Sequence, residues 1–338
     1  MLLVGLAGCN LAPLPPREVR GPPRPPAAPP IAGRIVVAEH AGRGGHLLFV
    51  DETGRRMASL TEPPEEDSFD VTPAFSPDGR WIAYSSSRGA VGRAAGLWIV
   101  PVDGSAPARR LTTPDNGIDF QPAYAPDGRA LAYTASHGPG HAVWVLPLDG
   151  GEPRLLMDDA IRPAWSHRGD LLAVTRQASP RDPPEIWLVA PDGGGARKLT
   201  GGAGAVFAPD DRQLVFSDRA EGRSDGDLWL IGVDGQGRHR VVDDPVGDEA
   251  SPRFSADGRF VFAEAFVRDG AGKSVFPSIV YVDLAEPTWR LRALQDPNPG
   301  GWTSVALAPL PLDAEALDRG PGYAEALSRA LVSLPPEP

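Results

Sequence analysis

An aromatic or bulky residue followed by a tight turn returns along this chain at intervals of 49, 41, 42 and 47 residues. Its copies are Phe75-Ser76-Pro77-Asp78-Gly79, Tyr124-Ala125-Pro126-Asp127-Gly128, Trp165-Ser166-His167-Arg168-Gly169, Phe207-Ala208-Pro209-Asp210-Asp211 and Phe254-Ser255-Ala256-Asp257-Gly258. Proline presets φ for the first central position of such a turn and Asp suits the second. Gly then takes the left-handed conformation that lets a hairpin continue with the correct twist. A short apolar run follows each turn at once: Trp81–Tyr84, Ala130–Tyr133, Leu171–Val174, Gln213–Phe216 and Phe260–Ala263. Such runs suit strands buried between neighbouring layers, and a period of this length marks the four-stranded blades of a β-propeller.

A second anchor lies later in each unit. Leu97-Trp98-Ile99-Val100, Val143-Trp144-Val145-Leu146, Ile186-Trp187-Leu188-Val189 and Leu228-Trp229-Leu230-Ile231 each lead within a few residues to Asp-Gly, and an outer strand such as Arg109–Thr112 comes next. One large aromatic per unit in the same register is what packing between blades needs, so the Trp stripe reads as core before it reads as a sugar-stacking array. Naming the strands of a blade a to d from the axis outward fixes the blade number. The first unit begins at strand b (Arg34–Val37) and lacks strand a, while one orphan strand, Trp302–Leu307, remains at the far end. The last strand is therefore expected to complete the first blade, a "velcro" closure that leaves no open edge. The expected architecture is all-β: a six-bladed β-propeller over residues 34–311, with a short C-terminal helix in the tail 312–338. In that tail Tyr323, Ala326, Leu327, Ala330, Leu331 and Leu334 recur at helical spacing, and Pro335 ends the pattern.

Ahead of the repeats the composition changes. Residues 10–32 hold nine prolines, so residues 10–33 are expected to form an extended, disordered tether. It would reach about 70 Å at roughly 3.1 Å per residue. Before it, residues 1–9 end in Leu6-Ala7-Gly8-Cys9, which resembles the lipobox of bacterial lipoproteins, although the segment lacks a basic start and is shorter than the usual apolar core. That resemblance implies lipidation of Cys9, the only cysteine. With Asn10 in place of Asp, it also implies the periplasmic side of the outer membrane.

The repeats over residues 34–310 resemble the TolB-like propellers and their WD-like Pro-Asp-Gly repeats. Members of that family act as periplasmic binding hubs, and the namesake engages the peptidoglycan-associated lipoprotein through its propeller. The chain differs in carrying a Pro-rich tether where the family places an α/β domain.

The net charge of −11 argues against nucleic acid, because phosphate binding needs a basic face. No Gly-x-Ser-x-Gly elbow is present. His137 and His141 flank Gly-Pro-Gly and lack the helical spacing of a metal pair, and Gly193-Gly194-Gly195 has no P-loop lysine. No cofactor, metal or catalytic residue is expected. Asp70, Asp119 and Glu249 each stand three residues ahead of a proline at the start of strand a, and Arg162 lies close to the same place in the fourth blade. Each has a capping explanation. Together they are expected to ring one mouth of the channel and receive a partner, such as an envelope protein or peptide of basic character, with the chain itself a monomer. On that reading, alanine at Asp70, Asp119 and Glu249 weakens binding and leaves stability almost unchanged. The function expected is a non-catalytic interaction scaffold. The alternatives are a propeller-borne hydrolase or lyase, which needs converging acid–base or metal groups, and a glycan or peptide receptor, which needs Trp exposed at the mouth.

Overall fold

The computed structural model describes residues 35–41, 44–62, 68–90, 94–114, 117–136, 140–179, 181–219, 226–241, 247–268, 274–286, 289–294 and 302–310, with 312 and 317. The lipobox with Cys9, the tether 10–33 and the helix expected from Tyr323 to Leu334 lie outside the described residues.

The first blade contains β1 (Ile35–Ala41), β2 (Gly44–Val50) and β3 (Arg56–Ser59). The second is β4 (Asp70–Phe75), β5 (Trp81–Ser86), β6 (Gly96–Pro101) and β7 (Arg109–Arg110). Blade three is β8 (Ile118–Tyr124), β9 (Ala130–Ser136), β10 (Ala142–Pro147) and β11 (Arg154–Asp158). Blade four follows as β12 (Ala160–Trp165), β13 (Leu172–Arg176), β14 (Glu185–Val189) and β15 (Arg197–Gly201). The fifth is β16 (Ala203–Phe207), β17 (Gln213–Arg219), β18 (Gly226–Gly232) and β19 (His239–Arg240). The sixth is β20 (Gly247–Phe254), β21 (Phe260–Arg268), β22 (Ser274–Asp283) and β23 (Arg292–Ala293). The last strand, β24 (Trp302–Leu307), pairs antiparallel with β1, setting Ile35 opposite Leu307, Val36 opposite Ala306 and Glu39 opposite Trp302. Six antiparallel four-stranded sheets result, and the first is ordered β24-β1-β2-β3. The ring closes as expected.

The closure is fastened by polar and apolar contacts. The Trp302 Nε1–H donates to Glu39 Oε1 at 3.2 Å, and Glu39 also pairs with Arg56. Trp302 and Val305 pack into one cluster with Ile35, Val37, Phe260, Tyr281 and Leu317. The core lies between blades: Val36, Phe49, Ile82 and Tyr84 fill the gap between the first and second, and Ala173, Leu188, Phe207 and Phe216 that between the fourth and fifth.

The repeated turns have one local chemistry. In the second blade the Ser76 hydroxyl accepts from the Trp81 N–H at 3.0 Å and the Asp78 carboxylate accepts from the Arg80 N–H at 3.1 Å. Each turn glycine also sits against the proline of the preceding blade's turn. A Cβ at Gly169 would lie 3.4 Å from Pro126, and one at Gly258 only 3.2 Å from Pro209. Where the fourth blade has His167 in place of that proline, the fifth has Asp211 in place of that glycine. Asp211 accepts the His167 N–H at 2.7 Å, the Arg168 N–H at 2.9 Å and the His167 ring at 3.2 Å. Burial pushes the Asp211 carboxyl up, but these donors outweigh it and hold the group below its ordinary value. The two departures from the repeat are thus partners, and a polar clasp replaces a Pro–Gly contact.

The Trp stripe is half-buried core. Arg110 covers Trp98 at 5.9 Å, Arg176 covers Trp187 at 5.1 Å and Arg238 covers Trp229 at 4.6 Å. Gly193 and Gly195 have φ of 89° and 60° and form the turn after β14, as expected of a hairpin connection. His141 meets Phe120 edge-on, while His137 lies outside the described residues.

Candidate functional site: the polar belt of the central channel

Strand a of every blade carries the same irregularity. The pairing of strands a and b jumps between Val71 and Ala74, Phe120 and Ala123, Ile161 and Ala164, Ala203 and Val206, and Ala250 and Arg253. In the first blade it jumps where Ser304-Val305 interrupts β24. Two residues of strand a oppose one of strand b, which is a β-bulge with its first residue left-handed. Those first residues are Thr72 (φ 52°), Gln121 (φ 53°), Arg162 (φ 55°), Gly204 (φ 67°), Ser251 (φ 53°) and Ser304 (φ 53°). Four of them are followed by proline, which a bulge tolerates because no ladder donor is lost there. A non-glycine residue in this region costs on the order of 1–3 kcal/mol. Five such residues at equivalent positions are a cost repeated around one axis.

All six line a central cavity of about 500 Å³. A belt of hydrogen bonds links four of them across blades. The Gln121 N–H donates to the Thr72 hydroxyl at 3.2 Å, and the Arg162 N–H donates to Gln121 Oε1 at 3.2 Å and to the Thr134 hydroxyl at 3.0 Å. The Arg162 side chain then crosses the fifth blade over Gly204 and donates through Nη1 to the Ser251 hydroxyl at 3.2 Å. A Cβ at Gly204 would stand 3.1 Å from that nitrogen, so the missing side chain is what lets Arg162 pass.

The sixth blade breaks the pattern twice more. Arg253 occupies the position that is Ala74, Ala123 and Ala164 in other blades, and Glu264 the position of Ser85, Thr134, Thr175 and Ser217. Both line the cavity with Arg162. Burial holds the Glu264 carboxyl above its ordinary value, against the pull of Arg162, Arg253, the Ser251 hydroxyl and the Ser304 N–H. Burial likewise lowers the Arg253 guanidinium, opposed by Glu264 and aided by Arg162.

Of the residues singled out from sequence, Arg162 sits in this belt. Asp70, Asp119 and Glu249 stand near the start of the strands that carry it, two residues ahead of Thr72, Gln121 and Ser251. They are buried, at 0%, 2% and 1% exposure, and so do not present an open acidic rim. Asp70 takes both oxygens to Arg88, whose Nε lies 3.0 and 2.9 Å away. Thr72, Gln121, Gly204, Ser251, Arg253, Glu264 and Ser304 were not expected. The usable signal was the residue just before each strand-a proline, together with the two places where the sixth blade replaces a small residue with a charge.

Residues 66–258 match the TolB beta propeller domain family, PD40. Over 118 residues the chain is 35% identical to the Tol-Pal system protein TolB of Anaeromyxobacter dehalogenans (strain 2CP-C), covering 32% of this chain and 26% of that protein. The chain thus spans about a quarter of the length of the curated relatives it matches. TolB from Acinetobacter baumannii has a similar fold, with a TM-score of 0.66 at 17% identity over 84% of this chain and 68% of that one. An oligogalacturonate lyase in complex with manganese is similar at a TM-score of 0.51 and 14% identity, over 73% and 70% of the two chains. With more than half of its length matched, the chain belongs to the TolB beta propeller domain family.

Proposed function

We propose that this protein is a non-catalytic interaction scaffold of the cell envelope that receives a protein or peptide partner in the mouth of its channel. In this reading Arg162 and the belt around it meet the partner, while Asp70, Asp119 and Glu249 fix the strands that carry the belt. A lipid on Cys9 and the proline-rich segment would hold the propeller on the periplasmic side of the outer membrane. The observation that carries the reading is the ring of left-handed bulges. Strain kept at equivalent positions around one cavity is what a binding surface retains and a purely structural core sheds. The relatives named for the Tol-Pal system support an envelope setting. A metal-dependent reaction like that of a manganese-bound lyase would need converging ligands, and among the described residues no three His, Cys, Asp or Glu side chains are grouped to hold a metal ion.

Partner capture from envelope extracts tests the proposal, with wild type compared against Arg162→Ala and Gln121→Ala. The same partner should be retained by wild type and weakened at least about tenfold by Arg162→Ala, as for a lost charge-assisted hydrogen bond. Undiminished capture by both variants would remove the channel from the function.

A further inference from the structure

The charge inside the channel is opposite in sign to that of the molecule. The chain carries a net −11, yet the cavity holds the guanidinium groups of Arg162 and Arg253 against one carboxyl, Glu264. Among the described residues neither guanidinium forms an ion pair; Glu264, hydrogen-bonded to the Ser251 hydroxyl that Arg162 also reaches, acts on both through its charge. Arg162 spends one donor on Ser251, and Arg253 spends one on the Pro252 carbonyl at 2.8 Å. A guanidinium has five donors in a planar fork that matches a carboxylate, so both keep unused donors inside a low-dielectric cavity. The arrangement is also assembled deliberately: Gly204 clears the path for Arg162, and Arg253 replaces the alanine of other blades.

From this geometry we infer that Arg162 and Arg253 form a carboxylate-binding site in the channel, with Glu264 setting how tightly it holds. A cavity of about 500 Å³ admits more than a single small acid, and the ligand that fits it is the free carboxylate end of an extended chain. This goes beyond the scaffold reading, since it holds or fails on a small-ligand titration whether or not a larger partner docks.

Calorimetric titration of the full chain decides the matter, using N-acetyl-Gly-Gly-Ala with a free C-terminus, the same peptide as its amide, acetate and calcium chloride. The free-acid peptide should bind at least about tenfold more tightly than the amide, the difference made by one charge-assisted contact. Arg253→Ala should weaken it by a similar factor while melting like wild type, because alanine already occupies that place in three blades. Gly204→Ala, which pushes the Arg162 guanidinium aside, should weaken it too, and Glu264→Gln should tighten it several-fold. Acetate binding as tightly as the free-acid peptide would keep the site and make its ligand a small acid. Equal binding of acid and amide, an Arg253→Ala variant of unchanged affinity, or calcium binding that Glu264→Gln abolishes would overturn the inference.

Discussion

A chain ending at residue 301, without β24, is expected to lose its cooperative melting transition altogether. The first blade would keep β1, β2 and β3 but lose the strand nearest the axis, leaving the N–H and C=O groups along one side of β1 unpaired. The apolar loss is large. Trp302 and Val305 are each 3% exposed and Ala306 4%, and the first two pack against Ile35 and Val37 of their own blade and Phe260 and Tyr281 of the sixth. Truncating one buried Trp costs about 3–5 kcal/mol, and burying each further aliphatic side chain contributes about 1.5–3 kcal/mol. Glu39 would lose its Trp302 donor and be left as a buried carboxylate held only by Arg56 and beside His46 among the described residues. Since a whole domain is stable by only about 5–15 kcal/mol, the sum leaves no margin. Circular dichroism during heating should show a broad, non-cooperative loss of signal. A sharp transition within a few degrees of the intact chain would mean that the ring does not depend on its last strand.

The second large effect concerns the three acids at the start of strand a. Asp70→Ala, Asp119→Ala and Glu249→Ala combined should destabilise the protein by about 4–6 kcal/mol, from roughly 1.5–2 kcal/mol for each buried acid. The sites lie in three different blades, which favours additivity. Asp70 illustrates the mechanism. Its carboxylate is fully buried and grips the Arg88 guanidinium, which also reaches the Glu62 carbonyl, so its removal strands a positive charge against the second blade. At about 2–4 °C per kcal/mol for a domain of this size, the melting temperature should fall by roughly 10–20 °C. Acids on an open rim would leave it unmoved, and an unmoved melting temperature would contradict their burial.

The contrast between these acids and Arg162 shows what the sequence made legible. Blade number and closure were readable because they rest on periodic features. Phe75-Ser76-Pro77-Asp78-Gly79 and its copies count the hairpins, and the orphan Trp302–Leu307 has one place to go once the first unit lacks strand a. The stretch of chain that carries the bulges was marked as well, since Asp70, Asp119, Arg162 and Glu249 all fall within two residues of a left-handed bulge residue. What spacing does not give is the bulge itself. With two residues opposing one, the chain past Asp70 no longer alternates, so the facing of the side chains that follow cannot be counted from sequence. Asp70 turns inward between blades, and Thr72 lines the channel. Arg253 and Glu264 were hidden for a different reason. Each lies in a strand that otherwise reads as ordinary, and they are notable only beside Ala74, Ala123 and Ala164, or beside Ser85, Thr134 and Thr175. The His167–Asp211 clasp escaped in the same way, because two departures from the turn motif in successive blades look like decay until they are seen 3.2 Å apart.

The account rests on the channel as the place where a partner is met, and site-specific photo-crosslinking asks this most directly. A benzophenone side chain placed at Gln121 in the belt is compared with one placed at Met57 or Leu155, exposed residues of the outer strands β3 and β11. After irradiation in envelope extracts, the account predicts one discrete adduct from Gln121 and none from Met57 or Leu155. Adducts from the outer strands, with none from Gln121, would contradict it.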